Sequence, residues 1–187
     1  MSQMRLNLNG VTTLLVDSDH FTRGLVAHML RGFGMESPTV FSNGRDAKDY
    51  LKNHMADLIL VEAVLPDMDG AALIRWIRRR EKNPLRFVPM IVLTGYTQLD
   101  KVSGARDSGA NIVVKKPLSP QVLYDHIAWV GRVPRPFIEA GDYAGPDRRF
   151  KSLPPPGGIE RRVVVESEDD DDEDTAGGSA GTAEAAA

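Results

Sequence analysis

The sequence predicts a doubly wound α/β domain built on a five-stranded parallel sheet. Three observations carry that expectation. Between residues 11 and 130, short apolar runs alternate five times with segments of helical period. The runs are nearly continuous rather than alternating in polarity, as strands buried on both faces require. Polar caps and glycines punctuate the segments between them. Strand and helix in strict alternation give a parallel sheet covered on both sides.

The elements follow in order. "VTTLLV" (11–16) reads as the first strand, and the helix after it repeats Phe21, Leu25 and Met29, with Val26, Leu30 and Phe33 alongside. "PTVF" is a short second strand, and Asn43 caps a helix that buries Ala47, Tyr50 and Leu51. Leu58–Val61 is the third strand, ending in the carboxylate of Glu62. The helix from Gly70 places Leu73, Trp76 and Ile77 inward and Arg75, Arg78 and Arg79 outward. "RWIRRR" thus reads as a solvated basic face. "VPMIVLT" is the fourth strand, a weak helix surrounds Leu99, Val102 and Ala105, and "NIVV" is the fifth strand. Ser119 caps the last helix, Pro120 takes its first position, Leu123, Ile127 and Val130 form its inner stripe, and Gly131 follows its end.

Charge divides the chain into three regimes. The net charge of -3 is the balance of +3 over residues 1–130, +3 over the much shorter 131–162, and -9 over 163–187. The predicted domains follow: 11–130 globular, 131–162 an irregular extension rich in Arg, Pro and Gly, and 163–187 a disordered acidic tail. There is no cysteine, so disulfides and thiolate metal sites are excluded. The apolar runs fall short of the ~20 residues of a membrane span, and MSQMRLNLNG lacks the pattern of a secretory signal. A cytoplasmic protein is expected. The four histidines, His20, His28, His54 and His126, have no metal-ligand spacing.

In doubly wound sheets, chemistry gathers at the carboxyl ends of the strands. Those ends carry Asp17, Ser18 and Asp19 after the first strand, Glu62 after the third, Thr94 after the fourth and Lys116 after the fifth. With "LPDMDG" and "KKP", this set resembles the receiver domain of bacterial response regulators, the CheY-like, flavodoxin-like fold. The resemblance implies two-component signal transduction rather than catalysis. It implies paired acids that hold Mg²⁺, an Asp that takes a phosphoryl group from a histidine kinase, and a Thr and a Lys that read the phosphoryl oxygens. Here Asp17, Thr94 and Lys116 match that pattern. Ser18 stands at the second acid position, with Asp19 one residue later. Glu62 stands at the acceptor position, and Val113 where an aromatic switch residue is usual.

These departures alter the expected chemistry. Mg²⁺ requires near-ideal octahedral oxygen ligation, so only a weak site is expected at Asp17, Asp19 and Glu62. The extra methylene of Glu displaces its oxygens by roughly 1–1.5 Å, and misplacement of that order costs ~10²-fold in rate. Glu62 instead reaches toward Lys116, either as a standing substitute for phospho-aspartate or as a purely structural partner.

The extension holds two arginine pairs, Arg148–Arg149 after Asp147 and Arg161–Arg162 after Glu160, separated by Pro154–Gly158. Guanidinium forks suit phosphate oxygens and the O6/N7 edge of guanine. An acid beside the arginines suits the guanine N1 and N2 hydrogens, which makes Asp147 a useful partner, and Tyr143 and Phe150 are able to stack on a base. Cyclic di-GMP offers both guanines and phosphates. The extension is also similar to that of the Cle proteins, CheY-like cyclic-di-GMP effectors linked to chemotaxis and flagellar motility. That similarity implies a signalling adaptor that binds cyclic di-GMP through Arg148, Arg149, Arg161 and Arg162, with Arg132 and Arg135 as further contacts. It also implies docking on a flagellar motor switch component and recruitment to the flagellated pole. The alternatives are a phosphorylatable or constitutively active-like regulator whose basic linker is held by the acidic tail, and an RNA binder using the basic extension.

Overall fold

The computed structural model describes residues 6–95, 104–148 and 163–165. Five strands, β1 (Thr13–Val16), β2 (Thr39–Phe41), β3 (Leu58–Glu62), β4 (Met90–Thr94) and β5 (Ile112–Lys115), form one parallel sheet in the order β2-β1-β3-β4-β5. The helices are α1 (His20–Gly32), α2 (Gly44–Leu51), α3 (Gly70–Arg78) and α4 (Pro120–Arg132), with a helical turn at 104–107 before β5. This is the predicted doubly wound fold. Its topological switch falls between β1 and β3, where doubly wound sheets place their sites.

The period of two along each strand divides the core into two layers. Leu14, Val16, Ile59, Val61 and Val92 face α2 and α3, whereas Leu15, Leu58, Leu60, Ile91 and Leu93 face α1 and α4. Asn43 and Ser119 cap α2 and α4 as expected, accepting from the backbone N–H of Asp46 and Val122.

Several elements differ from the sequence expectation. In α1 the buried stripe is Val26, Met29 and Leu30, while Phe21 is 75% exposed and Leu25 40%. Phe21 precedes Val26 by five positions, about 140° round the helix, so the fourfold repeat drifts out of the core. Helix α4 runs through Gly131 to Arg132 and is stopped by Val133 ahead of Pro134. Much of the weak helix predicted around Leu99 and Val102 lies outside the described residues, although Ala105 is buried.

The largest correction concerns Arg78. It lies four residues after Ile74 and one after Ile77, on the inner face of α3, and only 1% of it is exposed. Its Nε donates to Gly109 O at 2.9 Å and its Nη1 to Arg86 O at 2.5 Å and Val88 O at 2.8 Å. Its Nη2 donates to Asn111 Oδ1 at 2.8 Å. These acceptors belong to the segments entering β4 and β5, whose carbonyls would otherwise be buried without donors. Burial lowers Arg78 to about 9, which leaves it a cation at neutral pH.

The extension is not irregular throughout. Strands β6 (Phe137–Ala140), β7 (Tyr143–Pro146) and β8 (Val163–Val165) form an antiparallel sheet in the order β7-β6-β8, so a strand occupies the start of the predicted acidic tail. A two-residue loop, Gly141–Asp142, joins β6 to β7, with Gly141 at a φ of 57° as such tight hairpins require. The hairpin borrows its core from the main domain. Phe137 meets Phe87 edge-on at 5.0 Å, Glu139 pairs with Arg86, and Arg79 reaches Asp142 at 3.3 Å. Gly145 and Gly109 touch backbone to backbone. A Cβ on Gly145 would lie 2.7 Å from Gly109 Cα, and one on Gly109 would lie 2.3 Å from Ala144 O.

Candidate functional site

Strand β1 delivers Asp17 to the carboxyl edge of the sheet, where its backbone N–H donates to Phe41 O at 3.0 Å and the residue is fully buried. Asp17 Oδ1 accepts from the Asp19 N–H at 2.9 Å, and Oδ2 accepts from Lys116 Nζ at 2.6 Å. Lys116 follows β5. Its N–H donates to Thr94 O at 2.8 Å, which ties the ends of β4 and β5 together, and its peptide bond to Pro117 is cis. Its ammonium also donates to Glu62 Oε1 at 3.0 Å, while Ser18 Oγ lies 3.3 Å from Glu62 Oε2. Thr94 is buried at the end of β4.

One ammonium is therefore shared by two carboxylates in a largely dry setting. The side chains of Lys116 and Glu62 are 17% and 13% exposed, and that of Asp17 is 0%. Burial first, and the adjacent Asp17 carboxyl second, raise Glu62 above the ordinary glutamate range against the pull of Lys116. Burial works against the charge on Lys116, but its bonds to Asp17 and Glu62 outweigh burial and raise its pKa.

The loop after β3 is fixed by close packing. A Cβ on Gly70 would lie 2.1 Å from Glu62 O, so α3 starts directly against the strand end that carries Glu62. Asp67, in "LPDMDG", accepts from the N–H groups of Gly44 and Arg45 at 2.9 and 2.8 Å and ties this loop to the start of α2.

Asp19 departs from its predicted place. It caps α1, accepting from Phe21 N, Thr22 N and Thr22 Oγ1. The Thr22 bonds hold its pKa below the usual aspartate value. Asp17, Asp19 and Glu62 therefore do not converge as a Mg²⁺ ligand set, and no cluster of three ligating side chains occurs among the described residues. The carboxylate oxygens that do converge, from Asp17 and Glu62, are engaged by Lys116. These residues do not fit a divalent cation in this arrangement.

Those candidate residues of the extension that the structure describes sit at the opposite, amino end of the strands. Tyr143 is buried and donates its hydroxyl to Pro146 O at 2.5 Å. Arg148 lies over its ring at 4.4 Å and pairs with Asp107, which the sequence did not single out. The Asp147 N–H donates to Pro136 O at 2.8 Å. Arg135 lies over Trp129 at 5.8 Å, and Arg132 lines a 580 Å³ cavity between α1 and α4 with Phe33, Tyr124 and Trp129. Arg149, Phe150, Arg161 and Arg162 lie outside the described residues. Asp107 carries no sequence signal, because its partner stands 41 positions away.

The chain belongs to the response regulator receiver domain family, whose profile matches residues 13–128. This family is regulatory rather than catalytic. Among curated relatives, the transcriptional regulatory protein GltR of Pseudomonas aeruginosa is 36% identical over 123 residues, 65% of this chain and 49% of GltR. The chain thus spans about half the length of that relative. Two solved structures share the fold at TM-score 0.59. The receiver domain of a signal transduction histidine kinase from Syntrophus aciditrophicus is 29% identical, with 66% of this chain and 95% of that one covered. The receiver domain of the sensor histidine kinase PA1611 of Pseudomonas aeruginosa PAO1 is 28% identical, with 65% and 98% covered, and has a magnesium ion coordinated in its active-site cleft. Among the described residues, no helix is long and apolar enough to cross a membrane.

Proposed function

We propose that this chain is a signalling receiver whose strand-end site is set by a standing charge cluster instead of a transferred phosphoryl group. The observation that carries this reading is Lys116 Nζ, 2.6 Å from Asp17 Oδ2 and 3.0 Å from Glu62 Oε1. In the receiver pattern the lysine reads a phosphoryl group on the strand-three carboxylate. Here the longer Glu62 side chain already occupies the lysine, so the site holds its contact without phosphotransfer. Output then depends on what binds the domain elsewhere. The test is an NMR titration with beryllofluoride and Mg²⁺. The intact protein is expected to leave the Thr94 and Lys116 amides unmoved, whereas Glu62→Asp is expected to shift them. Shifts in the intact protein of the size seen in Glu62→Asp would return the site to ordinary phosphotransfer.

A second reading places an input in the extension. Arg148 lies over the buried Tyr143 ring at 4.4 Å and leaves its guanidinium half exposed. A guanidinium held in place this way suits a guanine edge, and with Arg149, Arg161 and Arg162 it supports cyclic di-GMP as ligand, with docking on a flagellar motor component and recruitment to the flagellated pole as the output. Three or four Arg–guanine contacts at ~1–3 kcal/mol each, with base stacking at ~1–3 kcal/mol per base and less about 2–5 kcal/mol for ordering the segment, bracket the roughly 8 kcal/mol of micromolar affinity. Calorimetry is expected to show saturable binding that is lost when Arg148 and Arg149 are both changed to Ala. Binding of RNA with a steep salt dependence and no preference for the dinucleotide would favour a nucleic-acid interface instead.

A further inference from the structure

We propose that Asp107 is a built-in competitor for Arg148: it holds the guanidinium in the resting chain, and an anionic ligand must displace this carboxylate to bind. This rests on the reading of Arg148 as part of a ligand site and adds the regulation of that site. Arg148 Nη1 donates to Asp107 Oδ1 while the guanidinium lies over the Tyr143 ring at 4.4 Å. The two side chains are 50% and 61% exposed, so a ligand in solution reaches both. A carboxylate oxygen and a phosphate oxygen are equivalent acceptors for a guanidinium fork. Asp107 therefore stands where a ligand oxygen would stand.

The main chain holds both partners in place. Asp107 closes the helical turn at 104–107. Behind it, the buried Ser108 donates its N–H and its hydroxyl to Ala105 O at 3.3 and 2.5 Å. The Gly109 N–H donates to Arg106 O at 3.3 Å, and Gly109 O accepts from Arg78 Nε at 2.9 Å. On the other side, Arg148 follows β7, whose Gly145 packs on Gly109, and the Asp147 N–H is held by Pro136 O at 2.8 Å. The pair thus spans a contact already made backbone to backbone. A ligand that takes Arg148 releases Asp107 at the head of the segment that runs through β5 to Lys116. Arg78 anchors that segment again at Gly109 and Asn111, so the release is confined to the turn.

Calorimetric titration of cyclic di-GMP into the full chain, Asp107→Ala and Asp142→Asn tests it. An exposed ion pair shifts an equilibrium by up to about fivefold, and Asp107→Ala is expected to bind about threefold more tightly than the intact protein. Asp142→Asn removes an equal charge from an acid that pairs with Arg79 instead, and its affinity is expected to match the intact protein. In NMR spectra, the amides of residues 105–108 are expected to move on ligand binding toward their positions in ligand-free Arg148→Ala. Equal affinity in the intact protein and Asp107→Ala overturns the competitor and leaves the ligand site standing, as does equal tightening in Asp142→Asn. Weaker binding in Asp107→Ala overturns it as well, and makes Asp107 a contact of the ligand. No binding in any of the three chains ends the ligand reading and the competitor with it.

Discussion

Replacing Lys116 by Met is expected to cost about 3–5 kcal/mol of stability at neutral pH, the usual penalty for removing one partner of a buried ion pair. The variant leaves two carboxylates together, one of them fully buried, with their shared cation gone. Urea denaturation followed by circular dichroism checks the loss. The pH dependence identifies its origin. Glu62 already has a raised pKa, and without Lys116 that pKa rises further, so Glu62 takes a proton more readily as the pH falls. The deficit is therefore expected to shrink on acidification. A deficit independent of pH would attribute the loss to packing of the lysine stem.

Arg78→Met is expected to be at least as damaging. The aliphatic part of Arg78 is replaced adequately, but Gly109 O, Arg86 O and Val88 O lose their donors inside the protein, and Asn111 Oδ1 keeps only the Met90 N–H. Each buried acceptor left unsatisfied costs about 1–3 kcal/mol. Partial relaxation and water entry reduce the sum, so a net loss of about 4 kcal/mol or more is expected against the 5–15 kcal/mol of a typical domain. Because Arg78 also lies 5.8 Å from the Phe137 ring, the loss is expected to release the β6–β7 hairpin along with the segments before β4 and β5. Hydrogen exchange checks this. Protection is expected to fall together at Ile138, Tyr143 and Asn111, and a hairpin that stays protected would show that it docks independently of Arg78.

What the sequence disclosed and what it hid follow from the reach of each interaction. The five strands and the caps at Asn43 and Ser119 are local: each is set by a few consecutive residues, and their order fixes the sheet. The juxtaposition of Asp17, Glu62 and Lys116 was legible because a doubly wound sheet gathers its strand ends. Asp19 was misplaced because a carboxylate beside a site reads as a ligand, whereas the nearest donors, those of Phe21 and Thr22, claim it first. Arg78 was placed in solvent because its charge says so, and the acceptors that hold it inside come from positions 8 to 33 residues away. The hairpin escaped notice because the sequence of 131–162 offers too few apolar residues for a core of its own. Phe137 is buried only because Phe87 and the end of α4 provide one.

The central claim is that Glu62 is bound into a charge cluster with Asp17 and Lys116 in the resting protein. Ionisation of Glu62 in that setting opposes folding. The stability it contributes is full below its unfolded pKa and is lost as the pH rises through the raised folded value. The most direct test is a carbon-13 titration of the Glu62 carboxyl in the intact protein and in Lys116→Met. The cluster predicts a titration above the ordinary glutamate range in the intact protein, and one higher still once Lys116 is gone. A Glu62 that titrates in the ordinary range and does not respond to the loss of Lys116 would contradict it.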